Sequence, residues 1–357
     1  MNFASDNAGP AHPKVMEALA RANDGHAMPY GNDPVTEAAV SAVRDLFEAP
    51  EAQVAFVSTG TAANSLALAC LVQPYDTVFC SRVAHIEEDE CNAPEFFTGG
   101  AKLTLLDETD GKIDPASFER MLAAARDRGV HGAQPGALSI TQITERGTAY
   151  SVDEIRELAA MAREAGLPVH LDGARFANAC AALGCAPAEM TWKAGVDAVS
   201  FGGTKNGCLG VEAVVMFRPE HGRALALRRK RAGHLWSKHR YLSAQMLAYC
   251  TDGLWHEMAG AANAACARLA EAIRAVPGAR LLHDPAGNMI FAELPRAAHR
   301  RAMEAGAQYY LFPSDTPLAG PDDTPVRCRL VCDWSKSSDE IDRLVNAWTA
   351  KAHARAM

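Results

Sequence analysis

The stretch DAVSFGGTKNG, Asp197 to Gly207, sets Lys205 just past a short apolar run, behind two glycines and a threonine. A lone lysine there is ordinarily a solvated loop residue, so its chemistry depends on its company. Two other apolar runs end in a similar way. VAFVS leads into Thr59, Gly60 and Thr61, and PVHLD ends on Asp172 with Arg175 three positions later. The first is a small-residue turn opening a helix, which on its own is a plain cap but whose free backbone N–H groups also suit a phosphate. Asp172 on its own would cap the next helix or pair with Arg175.

The elements that must position these residues follow from the pattern of apolar runs. VAFVS (54–58), TVFC (77–80), LTLL (103–106), ALSITQI (137–143), PVHLD (168–172), DAVSF (197–201) and EAVVMF (212–217) have the length and composition of buried strands. Segments such as VDEIRELAAMAREAG between them repeat apolar residues at helical spacing. That alternation predicts an α/β fold with a mixed, mostly parallel sheet. After Arg223 the texture changes to long helical stretches, then to the strand-like LLHD, MIFAEL and VRCRLVCDW and a terminal helix from about Ser338. We therefore expect a large domain over residues 1–250, whose N-terminal segment contacts a smaller C-terminal α+β domain over residues 251–357. In open α/β sheets ligands gather at the carboxyl ends of strands, which is where Gly60, Asp172 and Lys205 fall.

Composition narrows the functional classes. The 357 residues carry a formal charge of -8 and 48% hydrophobic residues, ordinary for a globular protein and poorly suited to a general nucleic-acid binder. The exception is RRKRAGH, 228–234, a solvated helix face or a local site for a small anion. No apolar run approaches the ~20 residues of a membrane span, and MNFASDNAGP lacks the pattern of a secretory signal. Ten single cysteines without a CxxC pair read as buried thiols in a reducing compartment rather than as a zinc site. A cytoplasmic protein with neither membrane nor nucleic-acid partner, and with no bound metal, is expected.

An amine, a buried carboxylate and an anion turn on three strand ends match the needs of one cofactor. Pyridoxal phosphate requires an amine for its aldehyde, a carboxylate to keep its ring nitrogen protonated, and a cradle for its phosphate. The chain resembles the low-specificity L-threonine aldolases, including the phenylserine aldolase branch, within the aspartate-aminotransferase-like fold-type I pyridoxal-phosphate enzymes. The resemblance runs in order through SDNAGPAHPKVMEAL, YGNDPVTE, STGTAANSLAL, AHIEEDECNAPEFFTGGAKL, SITQITERGT, HLDGARFANACAALG, SFGGTKNG, RRKRAGH and CRLVCDW.

The resemblance implies a role for each matched residue. Lys205 becomes the Schiff-base lysine, Asp172 the partner of the pyridine nitrogen, and Thr59, Gly60 and Thr61 the phosphate turn. Arg175 lies beside the phenolic oxygen and His85 stacks on the ring, where it is also the candidate base, with one of Glu87, Glu88, Asp89 or Glu90 available to orient it. Ser5 and Arg329 take the substrate carboxylate, with Arg329 preferred over Arg327 on the same strand face. Lys230, Arg231 and Lys238 reach a phosphate or a neighbouring subunit. One departure stands out: many relatives have Thr-His-Asn-Gly where this chain has Thr144, Glu145, Arg146 and Gly147, so a second imidazole is missing. The implied reaction is reversible cleavage of L-β-hydroxy-α-amino acids such as threonine, allo-threonine and phenylserine to glycine and an aldehyde. The implied assembly is a homodimer or homotetramer with shared active sites. A β-eliminating lyase or an amino-acid racemase would share Lys205 and Asp172. A pyridoxal-phosphate-binding regulator would need a DNA-binding segment that neither the charge nor the N-terminal residues supply.

Overall fold

The computed structural model describes residues 1–350. Strands β1 (Gln53–Val57), β2 (Asp76–Ser81) and β3 (Lys102–Leu106) are followed by a two-stranded hairpin, β4 (Glu108–Thr109) and β5 (Lys112–Ile113). Then come β6 (Gln134–Thr141), β7 (Val169–Gly173), β8 (Ala198–Gly202) and β9 (Glu212–Met216). All seven runs expected from the sequence are strands of one seven-stranded sheet, ordered β1-β9-β8-β7-β6-β2-β3. β9 pairs antiparallel with both β1 and β8, while β8, β7, β6, β2 and β3 pair in parallel. The sheet is thus mixed and mostly parallel, as expected.

Helices cover both faces, so β7, β8 and β9 are buried at every position, which explains why they read as continuous apolar runs rather than alternating ones. The helix Val152–Glu164 starts with a capping box between Ser151 and Glu154 and buries Ile155, Leu158, Ala159 and Ala162, three and four residues apart. The helix Gly60–Leu71 is capped by Thr59 and is buried from Ala62 through Ala69. It packs between the sheet and the helices Ala93–Thr98 and Gly222–Arg231, a placement that holds its first turn rigidly.

The C-terminal part forms a four-stranded antiparallel sheet, β10 (Arg280–Leu281), β11 (Met289–Pro295), β12 (Tyr310–Phe312) and β13 (Pro325–Val331), ordered β10-β11-β13-β12. β12 was not anticipated: three residues with only Leu311 buried carry too little pattern to be read. The helices Leu254–Arg274, Arg296–Glu304 and Ser338–Thr349 complete this part. The long helix serves both cores, with Trp255 and Met258 in the large one and Cys266, Leu269 and Ile273 in the small one. Phe3 is also in the small core, since Asn2 bridges Gln308 and the Val331 N–H donates to the Phe3 carbonyl at 2.9 Å. No helix among the described residues is long and apolar enough to cross a membrane.

Candidate active site

The strand order puts chemistry in a row along one edge of the large sheet. The Thr59-Gly60-Thr61 turn follows β1, Lys205 follows β8, Asp172 ends β7, Glu145 follows β6 and His85 follows β2. Because β9 runs the other way, its first residue, Glu212, is level with Val57 and Gly202 at the last positions of its neighbours. Across the edge the sequence is therefore anion turn, Glu212, Lys205, Asp172, Glu145, His85.

A cavity of about 260 Å³ is lined by Thr59, Gly60, Thr61, His85, Asp172 and Lys205, together with Asn64, Glu90 and Glu212. Asp172 accepts from the Ala174 N–H at 3.0 Å and from Asn64 Nδ2 at 2.8 Å. Its partners here are neutral donors, and Arg175 is instead engaged by Asp6. Asn64 Nδ2 also donates to Glu90 Oε1 at 2.8 Å, and Glu90 Oε1 lies 2.8 Å from His85 Nδ1. A continuous chain, His85–Glu90–Asn64–Asp172, thus fixes the imidazole ring and leaves its Nε2 without a partner among the described residues. This hydrogen bond to Glu90 is the main reason the His85 pKa is raised, with the Asp172 charge adding to it against burial.

Lys205 is held below the ordinary lysine range by burial and by the Arg175 charge, against the pull of Asp6, Asp172 and Glu212. That shift enlarges the neutral, nucleophilic fraction of its amine. Glu212 accepts from the Gly203 N–H at 2.9 Å, and burial pushes its carboxyl up to about 7.

The residues present fit pyridoxal phosphate. Thr59 Oγ1 takes the Ala62 N–H, the N–H groups of Gly60 and Thr61 fall in the first turn where no intrahelical acceptor exists, and none of the described residues lies within 4 Å of a Cβ placed on Gly60. A phosphate can therefore approach this backbone closely, while Asp172 offers a buried carboxylate to a ring N–H. His85, Glu90 and Asp172 also bring ligand-type atoms within 4.8 Å of one another, but Asn64 already donates to both carboxylates.

A second cavity of about 490 Å³ shares Asn7, His85 and Lys205 with the first and extends to Ser5, Glu145, Arg146, Arg175, Tyr310 and Arg329. Arg175 makes a two-point ion pair with buried Asp6, Nε to Oδ2 at 2.8 Å and Nη2 to Oδ1 at 3.0 Å, and Asn288 Nδ2 donates to the same carboxylate at 3.1 Å. Arg329 donates to the Ala4 carbonyl at 3.2 Å, lies 5.2 Å from the Tyr310 ring centroid, and keeps a buried Nε without a partner among the described residues. Arg327, two positions earlier, is tied to Glu293 at 3.0 Å and points outside this cavity. The loop bearing Glu145 and Arg146 docks on the small sheet through Gly147. There φ is +78° and a Cβ would meet the Met289 carbonyl at 2.9 Å, so only glycine fits.

The structure brings Ser5, Thr59, Gly60, Thr61, His85, Asp172, Arg175, Lys205 and Arg329 around these two connected cavities. Lys238 lies elsewhere: it is exposed in the loop before the helix Arg240–Cys250 and lines neither cavity of its own chain. Arg228 to Arg231 form the last turn of the helix Gly222–Arg231, and Lys230 sits 4.9 Å from the exposed Tyr30 ring. Of the four acids after His85, Glu90 is the one that orients it. Asp6, Asn64 and Tyr310 escaped a reading by motif, and Glu145 was read only as a departure from one. For Glu212 a signal did exist, a lone charge at the head of an otherwise apolar strand.

Residues 2–295 match the family model described as beta-eliminating lyase. Low-specificity L-threonine aldolases from Pseudomonas aeruginosa and from a Pseudomonas species are 41% and 42% identical to the chain, over 96% and 87% of it and 95% and 89% of their own lengths. A solved threonine aldolase from Leishmania major superposes with a TM-score of 0.87 at 28% identity, covering 97% of this chain and 98% of that one. The chain belongs to the beta-eliminating lyase family, and within it stands with the low-specificity L-threonine aldolases.

Proposed function

We propose that this protein uses pyridoxal phosphate to cleave L-β-hydroxy-α-amino acids, among them threonine, allo-threonine and phenylserine, between Cα and Cβ, releasing glycine and an aldehyde. The observation that carries this reading is the row along the sheet edge, with Lys205 between two carboxylates and an imidazole facing it across the shared cavity. When bound, the cofactor supplies an electron-accepting ring for the pair released from the breaking bond.

The chain's own residues do the rest. The N–H groups of Gly60 and Thr61, with Thr59, bind the phosphate, Asp172 holds a proton on the ring nitrogen, and Lys205 gives the amine that anchors the aldehyde carbon. Arg175, fixed by Asp6, offers positive charge beside the ring. Ser5 and Arg329 take the substrate carboxylate, and the unpaired Arg329 Nε supports that role because a buried guanidinium N–H calls for an acceptor. His85 presents Nε2 to the β-hydroxyl and receives its proton, with Glu90 holding the tautomer.

The same reading divides the chain at 250/251 into a cofactor-binding domain and a small C-terminal domain. It also makes the protein a cytoplasmic homo-oligomer in which Lys238, idle in its own subunit, reaches the site of a neighbour. Incubation with L-threonine, L-allo-threonine and L-phenylserine, assayed for glycine and aldehyde, tests the activity. Stoichiometric release of both is expected; ammonia and a keto acid, or only racemised substrate, would replace it with elimination or racemisation.

A further inference from the structure

Glu145 has no part in the chemistry above, yet it stands in the row between Asp172 and His85 and lines the substrate-side cavity. Its Oε1 accepts the His85 backbone N–H at 2.6 Å, so its position is locked to that of the imidazole. Its Oε2 is buried and, among the described residues, no donor meets it in hydrogen-bond geometry, although the Thr141 hydroxyl is near enough to the carboxyl to lower its pKa. A buried carboxyl oxygen without a donor is costly, and the terminal torsion of a glutamate is soft and two-fold, so this oxygen can turn toward a donor entering the cavity.

The charged neighbours do not claim it. Arg146 points to Glu88 at 3.7 Å and to the Phe312 ring at 5.3 Å, and Asp172 repels it. Burial and the Asp172 charge push its carboxyl up to about 7, against weaker help from its own loop backbone, the His85 N–H and Thr141. Near neutral pH it can then accept or donate a hydrogen bond.

We propose that Glu145 is a second residue that touches the substrate's β-hydroxyl, so that His85 meets the hydroxyl in one Cβ configuration and Glu145 meets it in the other. The inference rests on the proposed cleavage of β-hydroxy amino acids. It gives a physical reason for tolerance at Cβ: neither diastereomer leaves its hydroxyl unpaired, so the penalty that would reject one of them is absent. In that second configuration the Glu145 carboxylate receives the hydroxyl's proton through Oε2, as His85 Nε2 does in the first.

Two measurements on Glu145→Gln test it. Glutamine keeps the shape and an acceptor for the His85 N–H, so the loop is retained, while the carboxyl is lost. First, the ratio of kcat/KM for threo and erythro L-phenylserine should shift by roughly a hundredfold in Glu145→Gln, the scale of losing a proton acceptor, and in the opposite sense in His85→Asn. Second, the affinity for one of L-threonine and L-allo-threonine should weaken roughly tenfold in Glu145→Gln relative to L-2-aminobutyrate, which lacks only the hydroxyl, while the affinity for the other stays within about threefold. A general loss of rate with an unchanged diastereomer ratio in both kcat/KM and affinity overturns the assignment and leaves Glu145 as a support for His85. If the parent enzyme cleaves none of these substrates, the functional reading falls instead, and the comparison of the two affinities still decides Glu145.

Discussion

Lys205, Asp172 and Glu145 leave the ends of central strands of one sheet, two of which are buried along their whole length, whereas Ser5, Arg146, Tyr310 and Arg329 are gathered from the first residues, a docked loop and the small antiparallel sheet. The cofactor half of the cleft is therefore set by backbone hydrogen bonds within one rigid unit. The substrate half depends on long-range contacts between separate units, such as Asp6 with Arg175 and Arg329 with Ala4. What this teaches is a division of labour: damage in the first half should remove chemistry, and damage in the second should loosen capture, selectivity or the closure of the cleft.

Lys205→Ala gives the largest effect expected from that division. Steady-state kcat should fall by on the order of 10⁴-fold or more, the scale of losing a nucleophile, while dialysis against cofactor still shows binding through the phosphate turn and Asp172. Near-normal turnover would break the comparison at its strongest point. Next comes Asp6→Ala, which strands the buried Arg175 guanidinium. Unfolding in urea should show a loss of about 3 kcal/mol or more, because the removed partner leaves an uncompensated charge. A loss under 1 kcal/mol would mean that solvent reaches Arg175 and the two halves are not clamped there.

Arg329→Ala should raise KM by roughly tenfold to a hundredfold with a smaller change in kcat, the worth of charge-assisted hydrogen bonds to a carboxylate. Arg327→Ala, removing a half-exposed pair with Glu293, should leave KM nearly unchanged. Reversal of the two would reassign the strand register of the substrate half.

The smallest effect sharpens the cofactor half. Glu90 raises the His85 pKa through a hydrogen bond, so the neutral imidazole that can receive a proton appears only above that raised value. In Glu90→Gln the support is weakened, and the rising acid limb of the kcat/KM–pH profile should move to lower pH. A limb that stays in place, or moves upward, would assign it to another group, with Glu145 and Glu212 next in line because burial brings both to about 7.

The cofactor half was legible because each of its residues follows an apolar run, and all seven runs proved to be strands of the large sheet. Periodicity locates a strand, and the residue after it inherits a place at the sheet edge. Asp172 illustrates the limit: its two bland roles, a cap or a partner of Arg175, could not be ranked from sequence, and the structure gives it a backbone N–H and Asn64 instead. Arg175 went to Asp6, a pairing across 169 positions that no local pattern encodes. β12 was unreadable because three edge-strand residues need no hydrophobic repeat when β13 supplies the pairing. Glu145 was noticed only as an imidazole that was missing; its link to the His85 backbone needed coordinates.

The interlocking of Phe3, Ser5 and Asp6 with residues far along the chain has a consequence for biosynthesis. Arg329 and Ala4 meet across 325 positions, and the Phe3 backbone is bracketed by Gln308 and Val331. A ribosome adds residues at about 5–20 per second, so the segment 2–6 waits on the order of tens of seconds before its partners emerge. During that interval the large sheet can form, but its ligand edge has no opposite wall, and Phe3 has no apolar core to enter. Competence to capture substrate thus arrives abruptly, once the chain has been made as far as Arg329 and Val331.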